Sequence, residues 1–246
     1  MRLDQYLVLH YNFTRNKAQQ IIIAHLVCID AKICNKPSYN VREDSVITIT
    51  SDRRVDWVSR SAEKLAGFLE NLPNSIDMNY AYCLDVGSST GWFTQVLLSV
   101  GADHIDAVDV GTDQLHHSLQ DNPKVSSYEK IDIRDYAKQY ASNRYDVIVC
   151  DASFISLYEI FDAISSLADS HTKIILLYKP QFEVWRENLR KTGVPKNLKI
   201  VEQKMKSFED FLISMQTEIL AYEKSTLMGE AGNQEWIYMI QKKPQK

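Results

Sequence analysis

The sequence lacks any long apolar run. No segment approaches the ~20 consecutive apolar residues of a membrane-spanning helix, and the start Met1-Arg2-Leu3-Asp4 has no apolar core of a secretory signal peptide. Only four cysteines occur among 246 residues, at positions 28, 34, 83 and 150, and their spacing matches no metal-binding pattern. We therefore expect a cytoplasmic protein with no membrane span and no metal, whose four thiols are structural.

Two common phosphate-binding motifs are also missing. An apolar run from Ala81 to Val86 is followed by Gly87-Ser88-Ser89-Thr90-Gly91 and then by apolar residues at helical spacing. These glycines fit neither G-x-G-x-x-G nor a P-loop. A strand, a glycine turn and a helix N-terminus still bring bare backbone close to a ligand at the carboxyl edge of a parallel sheet. We predict an amino acid or a nucleoside over this turn; an ordinary crossover turn is the alternative.

Charge is distributed unevenly along the chain. The net charge is −4, but residues 1–60 hold nine Lys/Arg against six Asp/Glu, so this part carries +3 and the remainder −7. A basic module joined to an acidic one suggests that the first binds a polyanion. The length allows one domain of ordinary size and a small one. We predict domains at 1–50 and 60–246, joined by a polar linker at 51–59.

The first domain is predicted to contain two short helices and two strands. Arg15 and Lys17 lie at the start of the second helix, where they could face phosphate. The strands are predicted at Val27–Ile33 and Val46–Ile49. Apolar faces with helical spacing define the helices, through Leu3, Tyr6 and Leu7 and, after a Thr14 cap, through Ala18, Ile21 and Ile22.

Strands and helices alternate in the second domain, which predicts an α/β fold with a parallel sheet. Helices are expected at 61–72 and 198–215, and the last two strands form an antiparallel pair. After the first strand, at Ala81–Val86, the predicted strands are His104–Asp109, Val125–Ile131, Tyr145–Cys150, Lys173–Tyr178, Thr217–Ser225 and Glu235–Gln241.

Polar residues at the ends of these strands are candidate site residues. Asp109 is placed to accept both ribose hydroxyls of a nucleoside, and Asp132 to contact an adenine amine. Each of four further residues has an ordinary structural explanation when it is taken alone. Their joint placement at strand ends and domain boundaries favours a catalytic group formed by Lys64, Asp151, Lys179 and Glu235.

Motifs in the first domain resemble the RNA-binding domain of ribosomal protein S-four. They are R-L-D-x-Y-L at 2–7, T-R-x-x-A-Q-x-x-I at 14–22, V-C-I-D from 27 and K-P-S-Y-x-V at 36–41. His25 and Asp30-Ala31 depart from the glycine and Asn-Gly usual in that family, which makes a turn there less standard. A small helical cap without an RNA role is the alternative. The resemblance implies RNA contacts at Arg2, Arg15, Lys17, Lys36 and Arg60.

The whole chain resembles the TlyA (hemolysin A) family, which joins such a domain to an FtsJ/RrmJ-like methyltransferase. The motifs are V-S-R-x-x-x-K-L (58–65), L-D-V-G-x-S-T-G-x-F-T (84–94), A-V-D-V-G-x-x-Q-L (107–115), D-x-S-F-I-S-L (151–157), K-P-Q-F-E (179–183) and G-N-x-E (232–235). The resemblance implies a class I, Rossmann-like methyltransferase domain that uses S-adenosylmethionine, with the Lys-Asp-Lys-Glu tetrad of ribose 2′-O-methyltransferases at Lys64, Asp151, Lys179 and Glu235. The implied cofactor contacts are Asp85, Gly87, Ser88, Ser89, Thr90, Gly91, Phe93, Asp109, Val110, Asp132, Ile133 and Asp151.

The implied substrate is a cytidine 2′-hydroxyl of 23S rRNA in the large ribosomal subunit, at the intersubunit bridge helix. The chain looks like the short type of the family, limited to the large subunit, and such methylation is associated with susceptibility to capreomycin-type antibiotics. Two departures stand out. Ser61-Ala62 replaces a usual pair of glycines near Lys64, and Trp92 replaces a common glycine, where it could crowd the methionine end of the cofactor.

Several alternatives stay open at the level of sequence. The chain could be a non-catalytic RNA-binding assembly factor, or a pore-forming hemolysin, although it has no spanning segment and no strongly basic amphipathic helix. A pseudouridine synthase can carry an S-four domain, but the methyltransferase turn has no place in it. Burial would lower the pKa of Lys179 and neighbouring acids would raise it, so base and orienter are both open roles. The oligomeric state is not predicted.

Overall fold

The chain forms two compact units, Met1–Asp56 and Trp57–Lys246. The computed structural model describes residues 1–11, 13, 15–23, 25–42, 44–49, 61–72, 76–142, 145–229 and 231–244, without the side chains of residues 16, 17 and 20. The predicted linker at 51–59, the Thr14 cap and Arg60 lie outside these residues. Within them, no helix is long and apolar enough to cross a membrane.

The first unit packs two helices on a small antiparallel sheet with strand order β2-β1-β3. Its elements are α1 (Leu3–Tyr11), α2 (Arg15–Ile23), β1 (Val27–Ile29), β2 (Lys32–Ile33) and β3 (Ile47–Ile49). The helix faces predicted from Leu3, Leu7 and Ile22 form its core with Val27.

The prediction of one strand over Val27–Ile33 is wrong. The chain turns back at Asp30 and Ala31, whose φ angles are +49° and +63°, so the segment forms the β1–β2 hairpin. Two consecutive residues with positive φ suit the tight turn of such a hairpin. Asp30-Ala31 lacks the glycine that usually marks such a turn, so the sequence signal for the hairpin is weak.

The second unit is built on a sheet that has seven strands in the described part of the chain, in the order β6-β5-β4-β7-β8-β10-β9. The first five strands along the chain run parallel, and β10 runs antiparallel to both β8 and β9. The strands are β4 (Tyr82–Val86), β5 (His104–Val108), β6 (Val125–Tyr128), β7 (Val147–Cys150), β8 (Lys173–Tyr178), β9 (Thr217–Lys224) and β10 (Trp236–Lys242).

Helices connect these strands and cover the sheet. They are α3 (Ala62–Asn71), α4 (Trp92–Ser99), α5 (His117–Gln120), α6 (Ile133–Gln139), α7 (Leu157–Ser166), α8 (Pro180–Glu183) and α9 (Leu198–Ser214). Two hydrophobic clusters form the core. The predicted α/β class and strand sequence are confirmed, because central parallel strands are buried on both faces and appear as apolar runs. Cys83 and Cys150 are free and buried in these strands, and burial raises the pKa of each thiol to about 12.

The register of the sheet brings the predicted site residues to one edge. Val86 pairs with Cys150, so the glycine turn after β4 lies beside Asp151 after β7. Trp236 pairs with Tyr178, so Glu235, which precedes the antiparallel strand β10, lies beside Lys179 at the end of β8. This edge is the one at which open α/β sheets bind ligands.

Candidate active site

The turn at residues 87–91 requires glycine at two positions. Gly87 has φ +76°, and a Cβ there would lie 3.1 Å from the backbone of Ala152. Gly91 has φ +89°, and a Cβ there would overlap the side chain of Leu119. Because neither position tolerates a side chain, the turn presents bare backbone at the N-terminus of α4.

Asp85 is fully buried in β4 beneath this turn. Its Oδ2 accepts hydrogen bonds from the backbone N–H (2.8 Å) and the hydroxyl (2.7 Å) of Thr94. Its Oδ1 has no hydrogen-bond partner among the described residues. Burial raises the pKa of this carboxyl to about 7, with Thr94 opposing the shift and the charge of Asp151 adding to it. Oδ1 is therefore an acceptor that a bound polar group could use.

Asp109 follows β5 and joins two loops at the same edge. Its Oδ2 accepts a hydrogen bond from the backbone N–H of Ser89 (2.9 Å), and its Oδ1 accepts one from that of Gly111 (2.7 Å). Each carboxylate oxygen can accept a further bond. The predicted ribose acceptor is thus held in place by the backbone and keeps the capacity to bind hydroxyls.

The four predicted catalytic residues come together as two buried ion pairs. Nζ of Lys179 lies 2.5 Å from Oδ1 of Asp151, and Nζ of Lys64 lies 2.7 Å from Oε2 of Glu235. All four residues are buried, with no more than 7% of any one exposed. Burying two charge pairs carries a desolvation penalty that well-packed apolar residues would avoid. The arrangement therefore indicates a chemical role.

Further hydrogen bonds fix the orientation of the tetrad. Nζ of Lys179 donates to Oγ of Ser153 (2.7 Å) and to the backbone oxygen of Asp151 (3.3 Å). The indole N–H of Trp92 donates to Oδ2 of Asp151 (2.9 Å), and the amide of Gln181 donates to Oε1 of Glu235 (3.3 Å). Both carboxylates are therefore held by their lysine and by a second, neutral donor.

The two ion pairs act on each other electrostatically. Burial raises the pKa of the Asp151 carboxyl. The ammonium groups of Lys179 and Lys64 counteract that shift, while the charge of Glu235 adds to it. The four groups therefore form one electrostatic unit with a balanced net charge.

Comparison with known proteins identifies the family. Residues 57–242 match the model of FtsJ-like methyltransferases, and residues 1–47 match that of S4 domains. The chain is 36% identical to the 23S rRNA (cytidine-2′-O)-methyltransferase TlyA of Campylobacter jejuni, over 97% of this chain and 98% of that protein. This chain belongs to the TlyA family of FtsJ-like methyltransferases.

Further relatives support the assignment. The 16S/23S rRNA (cytidine-2′-O)-methyltransferase TlyA of Mycobacterium tuberculosis is 34% identical, over 92% of this chain and 84% of that protein. A solved structure from Streptococcus thermophilus, which carries a hemolysin name, is 28% identical and superposes with a TM-score of 0.72, covering 100% of this chain and 90% of that one. The family resemblance seen in the sequence motifs is confirmed across both units.

The remaining residues expected to contact the cofactor, from the TlyA resemblance, differ in their burial and in their hydrogen-bond partners. Phe93 and Ile133 pack into the two core clusters, so only their backbones can face a cofactor. Asp132 caps α6 and is held by the guanidinium of Arg134 at 2.7 Å, which lowers the pKa of its carboxyl. Ser88 is buried, Val110 is exposed, and Oγ1 of Thr90 is buried without a partner in the described chain.

An exposed aromatic side chain borders the tetrad. Phe154 is 91% exposed and has φ +65°, in the left-handed region that non-glycine residues rarely adopt. Its ring centroid lies 5.3 Å from that of Phe182, and the Phe182 ring lies 5.9 Å from Nζ of Lys179. The two rings, tilted by 50° to each other, form an apolar surface next to Lys179.

In the S4 unit, two of the predicted RNA-binding residues, Arg2 and Arg15, lie beside the buried carboxylate of Asp4. Arg2 donates to Asp4 through Nε (2.9 Å) and Nη2 (2.8 Å), while Nε of Arg15 lies 4.0 Å from the same group. The hydrogen bonds from Arg2, followed by those from Gln19 and the backbone of Gln5, lower the pKa of Asp4 to about 2 against the opposing effect of burial. Lys36 is exposed. The side chain of Lys17 and all of Arg60 lie outside the described residues.

The sequence reasoning missed four residues of the site. Ser153, Phe154 and Gln181 lie inside the quoted motifs D-x-S-F-I-S-L and K-P-Q-F-E, so their position in those motifs was the available signal. For Trp92 the sequence indicated only that it could crowd the methionine end of the cofactor, and the structure adds a hydrogen bond from its indole N–H to Asp151. Nothing in the sequence indicated that contact.

Proposed function

We propose that this protein transfers the methyl group of S-adenosylmethionine to the ribose 2′-hydroxyl of a cytidine in 23S rRNA. The observation that carries the proposal is the presence of two buried ion pairs, Lys179–Asp151 and Lys64–Glu235, at the sheet edge beside the glycine turn. The TlyA family supplies the reaction class, and the names of the Campylobacter and Mycobacterium relatives supply the nucleoside and the RNA.

The residues around the turn fit such a cofactor. Asp109 is suited to the ribose hydroxyls because its oxygens are held by backbone N–H groups and retain lone pairs. Oδ1 of Asp85 and Oγ1 of Thr90 are buried polar atoms without partners in the described chain, so both are suited to polar groups of a ligand. When bound, the cofactor supplies an electrophilic methyl group on its sulfonium.

The tetrad provides what the attacking hydroxyl needs. A ribose hydroxyl has a pKa far above 7, so it requires a hydrogen-bond acceptor or a base as it attacks. We assign Nζ of Lys179 to the hydroxyl, with Asp151 and Ser153 holding that nitrogen in place. In its amine form this nitrogen accepts the hydroxyl proton as the oxygen attacks the methyl group. Lys64 and Glu235 hold the substrate on the other side of the site. Fixing the oxygen for in-line attack supplies much of the rate enhancement.

A basic loop on the methyltransferase unit supports RNA as the substrate. The loop runs from just after α8 to the first turn of α9, and a β-bridge between Leu189 and Pro195 closes its central part. The loop is positively charged although residues 61–246 carry a net negative charge. A local positive charge of this kind attracts the phosphates of a nucleic acid. Against the single carboxylate of Glu187, the exposed cations of residues 186–199 are Arg186, Arg190, Lys191, Lys196 and Lys199.

The test is transfer of labelled methyl from S-adenosylmethionine to purified ribosomal subunits, with the modified position mapped on each rRNA. We expect label on a cytidine of 23S rRNA, as in the name of the Campylobacter relative. Lys179→Ala should abolish transfer. Lys173→Ala is the matched control, because Lys173 begins the same strand at the opposite edge and bonds Gln241.

The remaining outcomes separate the alternatives. Label on both 16S and 23S rRNA would retain the enzyme and extend its substrate range, as in the name of the mycobacterial relative. Cofactor and RNA binding without transfer would indicate an assembly factor. A ribosomal substrate would also place the protein in the cytoplasm, the location expected from its cysteine usage.

A further inference from the structure

Trp92 connects the helix after the glycine turn to the catalytic carboxylate. It is the first residue of α4, and its Nε1 lies 2.9 Å from Oδ2 of Asp151. The other oxygen of Asp151, Oδ1, lies 2.5 Å from Nζ of Lys179. The carboxylate is therefore held on both oxygens by two separate elements, and rotation away from Lys179 would break both contacts.

We propose that Trp92 is a positioning residue, whose indole N–H keeps the carboxylate of Asp151 ionised and turned toward Lys179. The proposal rests on the proposed methyltransferase function, in which Asp151 holds the lysine that contacts the hydroxyl. The remainder of the indole packs against the hydrophobic cluster that contains Phe93 and Val96. The N–H and the ring can therefore be tested separately.

The charges around Asp151 explain why the single hydrogen bond from Trp92 affects the ionisation of this carboxyl. Lys179 from the end of β8 and Lys64 from α3 favour the ionised form of Asp151, while burial and the charge of Glu235 favour the protonated form. Asp85 from β4 and the thiol of Cys150 also interact with Asp151. Since these influences oppose each other, a hydrogen bond to the ionised carboxylate has a direct effect on its pKa.

Two substitutions remove the N–H and keep an aromatic ring. Trp92→Phe is the simple variant, and benzothienylalanine in place of Trp92 is an isostere in which sulfur replaces the N–H. Because a hydrogen bond to an ionised group is lost, we expect the acid limb of the pH profile of kcat to move up by about one pH unit. The dissociation constant for S-adenosylmethionine should not change.

A second readout does not depend on RNA or on methyl transfer. The carboxyl of Asp151 can be titrated by carbon-13 NMR in labelled protein, with Asp151→Asn identifying its signal. The same upward shift is expected in both Trp92 variants. Trp185→Phe is the matched control, because that indole is 73% exposed, and it should leave the titration of Asp151 unchanged.

The two readouts distinguish failure of this proposal from failure of the proposed function. If the wild-type protein methylates no RNA, the NMR titration still tests the link between Trp92 and Asp151. An unchanged titration in the isostere would overturn the positioning role. Loss of cofactor affinity with an unchanged acid limb would also overturn it, because Trp92 would then act through the cofactor site.

Discussion

Lys64 and Glu235 lie 171 positions apart in the chain, yet Nζ of the first is 2.7 Å from Oε2 of the second. Helix α3 carries the lysine, and the residue before the antiparallel strand β10 supplies the carboxylate. Both side chains are almost fully buried. A buried ion pair is weak evidence of stabilisation, because desolvation offsets the attraction between the charges. Its position beside a second pair, Lys179–Asp151, points to catalysis.

Breaking this ion pair should lower the free energy of unfolding. Lys64→Met leaves the carboxylate of Glu235 buried without its partner, so we expect the free energy of unfolding to fall by about 3–5 kcal/mol. Adding Glu235→Gln should restore most of the stability and none of the methyl transfer. Urea unfolding followed by tryptophan fluorescence measures the free energy of unfolding. All four tryptophans lie at or after position 57, so the signal reports on the second unit, which contains the ion pair.

Lys138→Met is the control for the loss of a lysine charge. Lys138 pairs with Asp135 on the surface of α6 and is 76% exposed, so its removal should change stability by less than about 0.5 kcal/mol. A Lys64→Met/Glu235→Gln double variant that methylates RNA at the wild-type rate would contradict the assignment of this pair to the site.

The positions of the strands and the candidate tetrad residues were accessible from the sequence for physical reasons. Apolar runs such as Val147–Cys150 indicate strands buried on both faces, and polar residues directly after them must lie at the sheet edge. Lys64, Asp151, Lys179 and Glu235 were all predicted from their placement at strand ends and domain boundaries, and the family motifs supported the group. The pairing of Lys179 with Asp151 depends on the alignment of β7 with β8. The pairing of Lys64 with Glu235 depends on the register of β10, and sequence patterns specify neither.

Other features depend on local conformation and were not predictable. The hairpin turn at Asp30-Ala31 lacks the glycine usual at this place in the S-four family, so its sequence signal is weak. Phe154 appears in the sequence as one more apolar residue, but its positive φ turns it into the solvent. The contact of Trp92 with Asp151 joins two strand ends, and only the three-dimensional arrangement brings them together.

Asp85 should make stability depend on pH. Its pKa is about 7 in the folded state against an ordinary value of 3.8, so between about pH 4 and pH 7 the folded state holds a proton that the unfolded state has lost. Its contribution to stability therefore decreases as pH rises through this window. Asp85→Asn should remove that dependence and raise stability at pH 8 by at most about 4 kcal/mol.

The measurement is urea unfolding of both proteins at pH 4, 6 and 8. Asp162→Asn, on the exposed face of α7, is the matched control and should leave the pH dependence unchanged. Because Asp85 also offers Oδ1 to the proposed cofactor, the Asp85→Asn variant should bind S-adenosylmethionine more weakly by calorimetry. Equal stability differences at pH 4 and pH 8 would show that Asp85 is ionised in the folded protein.

Asp4 should organise the RNA-binding surface of the S4 unit. It holds the guanidinium of Arg2 through two hydrogen bonds and is itself buried. Asp4→Asn removes one negative charge, which by itself would strengthen RNA binding. We nevertheless expect binding to weaken roughly fivefold, about 1 kcal/mol, because Arg2 loses a charge-assisted contact that orients it.

Fluorescence anisotropy with a labelled rRNA fragment would measure this effect. Asp44→Asn makes the same charge change at an exposed position of the same unit and should bind RNA slightly more tightly. The pKa of Asp4, about 2, is below its ordinary value, so the contribution of Asp4 to stability is present above about pH 4 and is lost toward pH 2. Tighter binding by Asp4→Asn would show that Arg2 needs no such orientation.

We expect Phe154 to contact the bound RNA and to contribute little to the stability of the fold. The ring is exposed, packs on Phe182 and lies next to the lysine of the site, so we expect it to stack on a base of the bound RNA. Stacking on an aromatic side chain contributes about 1–3 kcal/mol per base. Phe154→Ala should therefore lower kcat/KM for RNA by roughly 5- to 150-fold, with unchanged affinity for S-adenosylmethionine.

Tyr80 offers a closely matched control for that experiment. It is 86% exposed and has φ +63°, but it precedes β4 and so lies at the amino end of the strand, opposite the site. Tyr80→Ala should leave kcat/KM for RNA and the affinity for S-adenosylmethionine unchanged. Phe154→Tyr keeps the stacking surface and should restore most of the activity lost in Phe154→Ala. If Phe154→Ala and Tyr80→Ala behave alike, the exposed ring has no role in holding RNA.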